Sequence, residues 1–423
     1  MKTYVKKAPP AAPQDRTRLE ETVRKMLADI AANRDAAIKR YARELDKWES
    51  DSFRVSEDAI RKVAGQLPES FKADFEYSLK QVVGFAKRQL ETLTGFETEI
   101  EPGIVLGQKM IPVERVGCYV PGGKFPLVAS AIMSVGTAKA AGVSRVVACA
   151  PPRDSSGMYP YTLYALHRAG ADEIYNLGGI QAMAAMSYGC VGIQPVDMIT
   201  GAGNPYVAEA KRQLFGTVGI DLLAGPTEIL IVADASADPA LVATDLLGQA
   251  EHGPDSPAWL VTTSRALADA VLKEVERQLP ALPTRKNAEP AWRDHGEIVV
   301  VDSDDEAIAV SDEYAPEHLE VMTAKNGYYL ERLKNYGSLF LGEESTVAYG
   351  DKGVGTNHTL PTAGAARYTG GLWVGKFIKT VTYQYLTREA SRRIAPIMSR
   401  ICDVEGMAAH KLTADVREKR YAR

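Results

Sequence analysis

The chain has 423 residues, 45% hydrophobic and 25% charged, which is the composition of a globular protein long enough for two or three cores. Its net charge of -4 argues against an electrostatic nucleic-acid binder. The absence of a membrane-length apolar run, or of an apolar signal stretch after Met1, argues against a membrane-spanning or secreted product. Four cysteines (Cys118, Cys149, Cys190 and Cys402) form no CxxC pair, so free thiols and a cytoplasmic location are expected.

Residues 1 to about 14 are rich in Lys, Pro and Ala and read as an arm. From Arg16 to about Trp48 a helical period places Leu19, Val23, Met26, Leu27, Ile30 and Ala31 on one face, and a helical pair over about 57–95 carries Phe71, Phe75, Leu79, Val82, Val83 and Phe85. The texture changes at Val113, where a short strand runs into Pro121-Gly122-Gly123 and then a small-residue helix over about 127–141. Three more apolar strands ending in Gly or Pro follow, at 145–150, 173–179 and 197–203. Strands alternating with helices predict a parallel sheet, with ligands at the carboxyl ends of its strands.

A second set of strands is predicted at 228–234, 259–263, 297–301, 319–322 and 338–342, with a surface connection over about 280–294. After Tyr383 the pattern is helical, with Ile394, Ile397, Met398 and Ile401 on one face. The expected fold class is therefore α/β, with two Rossmann-like parallel-sheet domains, an N-terminal helical segment and a small C-terminal helical tail. The expected division is an arm (1–20), a first α/β domain (21–118 plus 230–372), a nucleotide-binding α/β domain (119–229) and a C-terminal helical segment (373–423).

The chemistry centres on Gly248-Gln249-Ala250-Glu251-His252-Gly253-Pro254. An apolar helix ends here with Gln249 and His252 three residues apart, on one face, before Gly253-Pro254 stops it. The chain has six histidines. His318 follows Glu317 just before a strand, His358 lies seven residues after Asp351, and His410 lies near the C-terminus, whereas His167 and His295 have no distinctive setting. Catalytic zinc takes nitrogen and oxygen ligands and keeps one position open, so Gln249, His252, Asp351 and His410 are its candidate ligands, and Glu317-His318 the candidate proton-transfer pair. Each such residue alone is more often an ordinary hydrogen-bonding group. The GxGxxG fingerprint is absent, and Gly201-Ala202-Gly203-Asn204 breaks it, so the residues alone leave NAD an open question.

Several long motifs in one order resemble the histidinol dehydrogenase family, over about 18–417. They include 115–123, Gly178-Gly179-Ile180-Gln181-Ala182, 204–211, 219–228, 249–256, Pro316-Glu317-His318-Leu319, Gly350-Asp351 and Gly355-Thr356-Asn357-His358. The resemblance implies zinc on Gln249, His252, Asp351 and His410, a catalytic pair of Glu317 and His318, and NAD contacts at Tyr119, Gln181 and Asn204. It implies substrate contacts at Thr227, His318 and Glu405. It also implies a homodimer in which an exchanged C-terminal segment carries Glu405 and His410 to the partner's site. The implied chemistry is two successive NAD-dependent oxidations of a primary alcohol, through an aldehyde, to a carboxylate.

Thr227 stands where the family usually has Ser, and residues 365–377, with 256–259 and 405–407, look more like the sulfopropanediol dehydrogenase branch. That branch converts 2,3-dihydroxypropane-1-sulfonate to 3-sulfolactate. A sulfonate needs donors or cations, for which Arg367 and Lys376 are candidates, although both also read as surface charges. The competing expectations are oxidation of L-histidinol to L-histidine and a catalytically silent binding protein on the same fold. The expected partners are a small-molecule alcohol and a second copy of the chain, without nucleic acid or membrane.

Overall fold

The structure is a computed structural model that describes residues 2–9, 16–122 and 125–422. Most of the expected arm's tip (Met1 and residues 10–15) and Gly123 of the Pro-Gly-Gly turn lie outside the described residues. Two parallel sheets dominate. One has five strands in the order Glu173–Asn176, Arg145–Ala150, Arg115–Tyr119, Met198–Thr200 and Gly219–Ile220, all parallel. The other has the order Thr3–Lys6, Gly296–Val300, Ala258–Thr262, Ile229–Ala233, His318–Met322 and Ser338–Leu341. Its strands are parallel except Thr3–Lys6, which adds an antiparallel edge. Runs such as Ile229-Leu230-Ile231-Val232-Ala233 are buried on both faces, which explains their lack of apolar-polar alternation.

The expected division needs correction in two places. The boundary at 118/119 falls inside Arg115–Tyr119, the central strand of the five-stranded sheet. The N-terminal helices also cover that sheet rather than the six-stranded one. Val23, Leu27, Ile30 and Ile38 of Thr17–Leu45 share a core with Val147, Tyr175 and Ile180, while Phe75 and Val82 of Glu69–Glu91 share one with Val116 and Val146. Both faces of the six-stranded sheet are already packed by its own crossover helices, so the apolar stripes of these helices bury against the sheet that needs cover.

Two further expectations differ from the structure. Residues expected as a surface connection include the helix Arg285–His295, which buries Ala288, Ala291 and Trp292; prolines and charges disguise it in the sequence. The C-terminal segment opens with the strand Ile378–Leu386 before its helices Arg388–Val404 and Ala408–Tyr421. That strand joins Ile104–Pro112 and Phe96–Glu101 in a three-stranded antiparallel sheet. Phe96–Glu101 is exposed along its whole length, so no core-facing pattern marks it.

Candidate active site

A helix that crosses between parallel strands runs opposite to them, so its C-terminus returns to the sheet's amino edge. Helix Pro239–Ala250 starts with Asp238 accepting from the Ala240 N–H at 2.7 Å and Pro239 in its first turn, and it delivers buried Gln249 to that edge. A tight turn, His252 N–H to Gln249 carbonyl at 3.2 Å, then presents His252. Thr227 and Glu228 lead into Ile229–Ala233 at the same edge, and His318 opens the adjacent strand in register with Ile229. Helix Val347–Lys352 contributes Asp351.

These residues interlock. Thr227 Oγ1 donates to Glu317 Oε2 at 2.5 Å and accepts from Gln249 Nε2, and the Glu228 N–H donates to the same Glu317 oxygen at 3.0 Å. His318 Nδ1 lies 3.0 Å from the Glu228 carbonyl, and 3.4 Å from both Glu317 Oε2 and Gln249 Nε2. A carbonyl only accepts, so Nδ1 carries a proton. His318 Nε2 is buried without a hydrogen bond, 3.8 Å from Asp351 Oδ1. His358 bridges two parts of the fold: its Nδ1 meets the Asp351 carbonyl at 2.8 Å and its Nε2 meets Ser130 Oγ at 3.1 Å.

The electrostatics follow from burial and charge. Burial pushes Glu317 up, against the pull of His318. It pushes Glu228 up to about 7, helped by Glu317. For His318, burial works against the charged form, but Glu317, Asp351 and the Glu228 carbonyl prevail and raise it to about 9. Asp351 is held well below the usual carboxylate range: its burial is outweighed by His318, His358 and Lys352. His252 is lowered by burial, against the attraction of Asp351.

The residues expected to meet NAD gather at the carboxyl edge of the five-stranded sheet. Tyr119 ends the central strand and its hydroxyl accepts the Gly179 N–H at 3.2 Å. Gln181 Nε2 donates to Asp46 Oδ2 at 2.8 Å, and Asn204 caps Pro205–Leu214 by accepting the Val207 N–H at 3.1 Å. Gly201 has φ +122°, and a Cβ there would meet the Tyr119 carbonyl oxygen at 2.1 Å, so this turn requires glycine. The buried Lys211-Asp221 pair holds the same turn: Lys211 Nζ donates to the Gly201 carbonyl at 2.9 Å, and Asp221 accepts the Gly201 N–H at 2.8 Å.

The profile of the family described as histidinol dehydrogenase matches residues 10–418. The chain belongs to the histidinol dehydrogenase family. It is 52% identical over 407 residues to a histidinol dehydrogenase homolog of Shouchella clausii, covering 96% of each chain. It is 49% identical over 420 residues to the sulfopropanediol 3-dehydrogenase of Ruegeria pomeroyi, covering 99% of this chain and 96% of that one. The crystal structure of histidinol dehydrogenase from Elizabethkingia anophelis matches with a TM-score of 0.91 at 35% identity, covering 99% of this chain and 95% of that one. Membership makes the chain an NAD-dependent dehydrogenase acting on a CH–OH group, in a family that uses zinc.

The donors of this chain suit those groups. Gln249 commits its amide nitrogen to Thr227, and its oxygen carries no hydrogen bond among the described residues. With a neutral His252 and an ionised Asp351 it offers the nitrogen and oxygen donors zinc takes. Among the described residues no three His, Cys, Asp or Glu side chains form a ready-made cluster. Two residues of those types plus an amide leave the set one ligand short. On the cofactor side, Gln181 Oε1 is buried without a hydrogen-bond partner, which a cofactor hydroxyl or amide would fill.

The remaining expected site residues are not brought into this cluster. Glu405 and His410 are exposed on the C-terminal helical segment and make no hydrogen bond or ion pair to the cluster among the described residues. Arg367 is exposed and donates to the Gly364 and Glu313 carbonyls. Lys376 is half-buried in the turn Val374–Phe377. The residue-by-residue reading overlooked Glu228 and Ser130, and it saw His358 without giving it a role. A glutamate opening an otherwise apolar strand was the available signal for Glu228.

Proposed function

We propose that the chain oxidises 2,3-dihydroxypropane-1-sulfonate to 3-sulfolactate in two NAD-dependent steps at the Glu317-His318 site. The observation that carries this is the interlocked Thr227–Glu317–His318–Gln249 cluster, in a chain 49% identical along nearly its whole length to a sulfopropanediol 3-dehydrogenase. Gln249, His252 and Asp351 would hold zinc, with His410 of a second copy supplying the ligand this set lacks. Zinc, when bound, would orient and polarise the alcohol. Tyr119, Gln181 and Asn204 would hold NAD, whose chemistry when bound would be to take up hydride.

The chain's own groups move the protons. The Glu228 carbonyl holds Nδ1–H, which leaves His318 Nε2 to take the hydroxyl proton as the alcohol is oxidised. Glu317, held by the Thr227 hydroxyl and the Glu228 N–H, then takes a proton from the water that hydrates the aldehyde. Thr227 and Glu405 contact the substrate. Of the two cations nominated for the sulfonate, Lys376 is the better candidate, because Arg367 is already engaged by two carbonyls.

The working unit is a homodimer with exchanged C-terminal segments. Ile397, Met398, Ile401, Val404 and Met407 are 44%, 43%, 48%, 90% and 41% exposed on the segment that carries Glu405 and His410, which is an apolar surface in need of a partner. Free, mostly buried thiols fit a reducing cytoplasm, and no helix among the described residues is long and apolar enough to cross a membrane.

The test is NADH formation by zinc-loaded protein with 2,3-dihydroxypropane-1-sulfonate and L-histidinol side by side, counting NADH per substrate consumed. Two NADH per sulfonate, with no turnover of histidinol, is the expected result. Turnover of histidinol alone would overturn the substrate assignment and make Lys376 and Arg367 ordinary surface charges.

A further inference from the structure

A second polar layer lies directly behind the active-site residues. Glu320 follows His318 by two residues on the same strand, so both side chains project from one face of the sheet. Asp245 precedes Gln249 by four residues on helix Pro239–Ala250, and Val347 precedes Asp351 by four on helix Val347–Lys352, so each pair shares a helix face. The three inner positions meet one another. Glu320, with no exposed surface, accepts the Val347 N–H on Oε1 at 2.9 Å. Asp245 Oδ1 accepts from Thr346 Oγ1 at 3.1 Å, so both carboxyls converge on the Thr346-Val347 start of helix Val347–Lys352.

Two carboxylates have four acceptor oxygens and no donor, so they join only through a proton. Glu320 Oε2 is buried with no hydrogen-bond donor among the described residues. Burial, reinforced by the facing Asp245, pushes the Glu320 carboxyl well above the usual carboxylate range.

We infer that Glu320, as a neutral carboxylic acid donating to Asp245 and accepting from Val347, is a positioning residue that sets the strand of His318, the helix of Gln249 and His252, and the helix of Asp351 relative to one another. The inference rests on the proposed zinc and proton-transfer roles of those outer residues. Glu320 touches neither substrate nor cofactor; it keys three elements through hydrogen bonds that ordinary apolar packing would leave free to slide.

Glu320→Gln keeps an acceptor for Val347 and supplies an N–H to Asp245, whereas Glu320→Met fills similar space with neither. Zinc affinity by chelator competition is expected to stay within about threefold of wild type in E320Q and to fall about 10- to 100-fold in E320M, the range for outer-layer partners of metal ligands. Amide hydrogen exchange of the metal-free proteins supplies a readout independent of zinc and activity. E320M is expected to speed exchange selectively over 247–253 and 347–352, and E320Q to leave it unchanged. Should E320M fail to fold, Thr346→Val, which removes only the donor to Asp245, is expected to give the same local pattern in weaker form.

Wild-type zinc affinity in E320M or, if it does not fold, in T346V would overturn the inference, as would an equal loss in E320Q and E320M or acceleration spread evenly over the chain. A wild-type protein that binds no zinc would instead sink the metal reading, and the exchange pattern alone would then decide the positioning role.

Discussion

Thr227→Val is the sharpest probe of the cluster, because valine keeps the shape of threonine and deletes only its hydroxyl. That hydroxyl donates to Glu317 Oε2 at 2.5 Å and accepts from Gln249 Nε2. Without it Glu317 Oε2 retains one donor, the Glu228 N–H at 3.0 Å, and the Gln249 amide nitrogen faces only His318 Nδ1 at 3.4 Å. A hydrogen bond to a charged group contributes about 1.5–3 kcal/mol net, and an unsatisfied buried donor costs about 1–3 kcal/mol. Thr227 is half-buried, so water softens both effects and the lower ends of the ranges apply. A total of about 2–3 kcal/mol corresponds to a fall in kcat/KM of roughly 30- to 150-fold.

Thr227→Ser keeps the hydroxyl and is expected to stay within about threefold of wild type. The assay is the initial rate of NADH formation by zinc-loaded protein with whichever of the two alcohols it turns over, with zinc content measured on the same samples. A valine variant as active as wild type, or a serine variant as damaged as the valine one, would refute the reasoning.

His252→Ala is expected to lose stoichiometric zinc and turnover together while the stability of the metal-free protein changes by less than about 1 kcal/mol, since the side chain is only half-buried; retained zinc with full activity would remove His252 from the site. Lys211→Met leaves the fully buried Asp221 carboxylate without its cation and should lower unfolding stability by about 3–5 kcal/mol, read by urea denaturation. Gly201→Ala forces a Cβ against the Tyr119 carbonyl and should raise the KM for NAD far more than the KM for the alcohol. Ile401→Asp places a charge on the exposed apolar face of the C-terminal segment and should shift sedimentation from dimer toward monomer with parallel loss of turnover.

The two parallel sheets were legible because their strands are short, mostly apolar runs, most of those in the five-stranded sheet closed by Gly or Pro, a pattern that survives without tertiary information. The helix end at Gln249 and His252 was legible for a similar local reason, since Gly253-Pro254 marks it. What the sequence hid depends on partners far along the chain. No periodicity announces that Val23 and Ile30 pack on the sheet of Arg115–Tyr119, or that Glu320 meets Asp245, 75 residues earlier in the chain. The strand Ile378–Leu386 was masked because its burial alternates only weakly between half-exposed and exposed positions, so neither a helical nor a core-strand signature stands out. His358 was visible as an unusual residue, but its place between Ser130 and Asp351 is a matter of distance alone.

Glu405 and His410 stand on a segment apart from the cluster they are expected to complete, and in an exchanged dimer that separation would make activity a property shared between two gene copies. In the proposed exchanged dimer, a protomer lacking His252 and one lacking His410 are each inactive with their own kind. Paired together, they assemble one intact site from the sound half of each and one doubly broken site. Random reassortment of two dead preparations should therefore restore about a quarter of the sites. Genetic complementation between alleles of a single enzyme would follow from the position of one histidine near the chain's end.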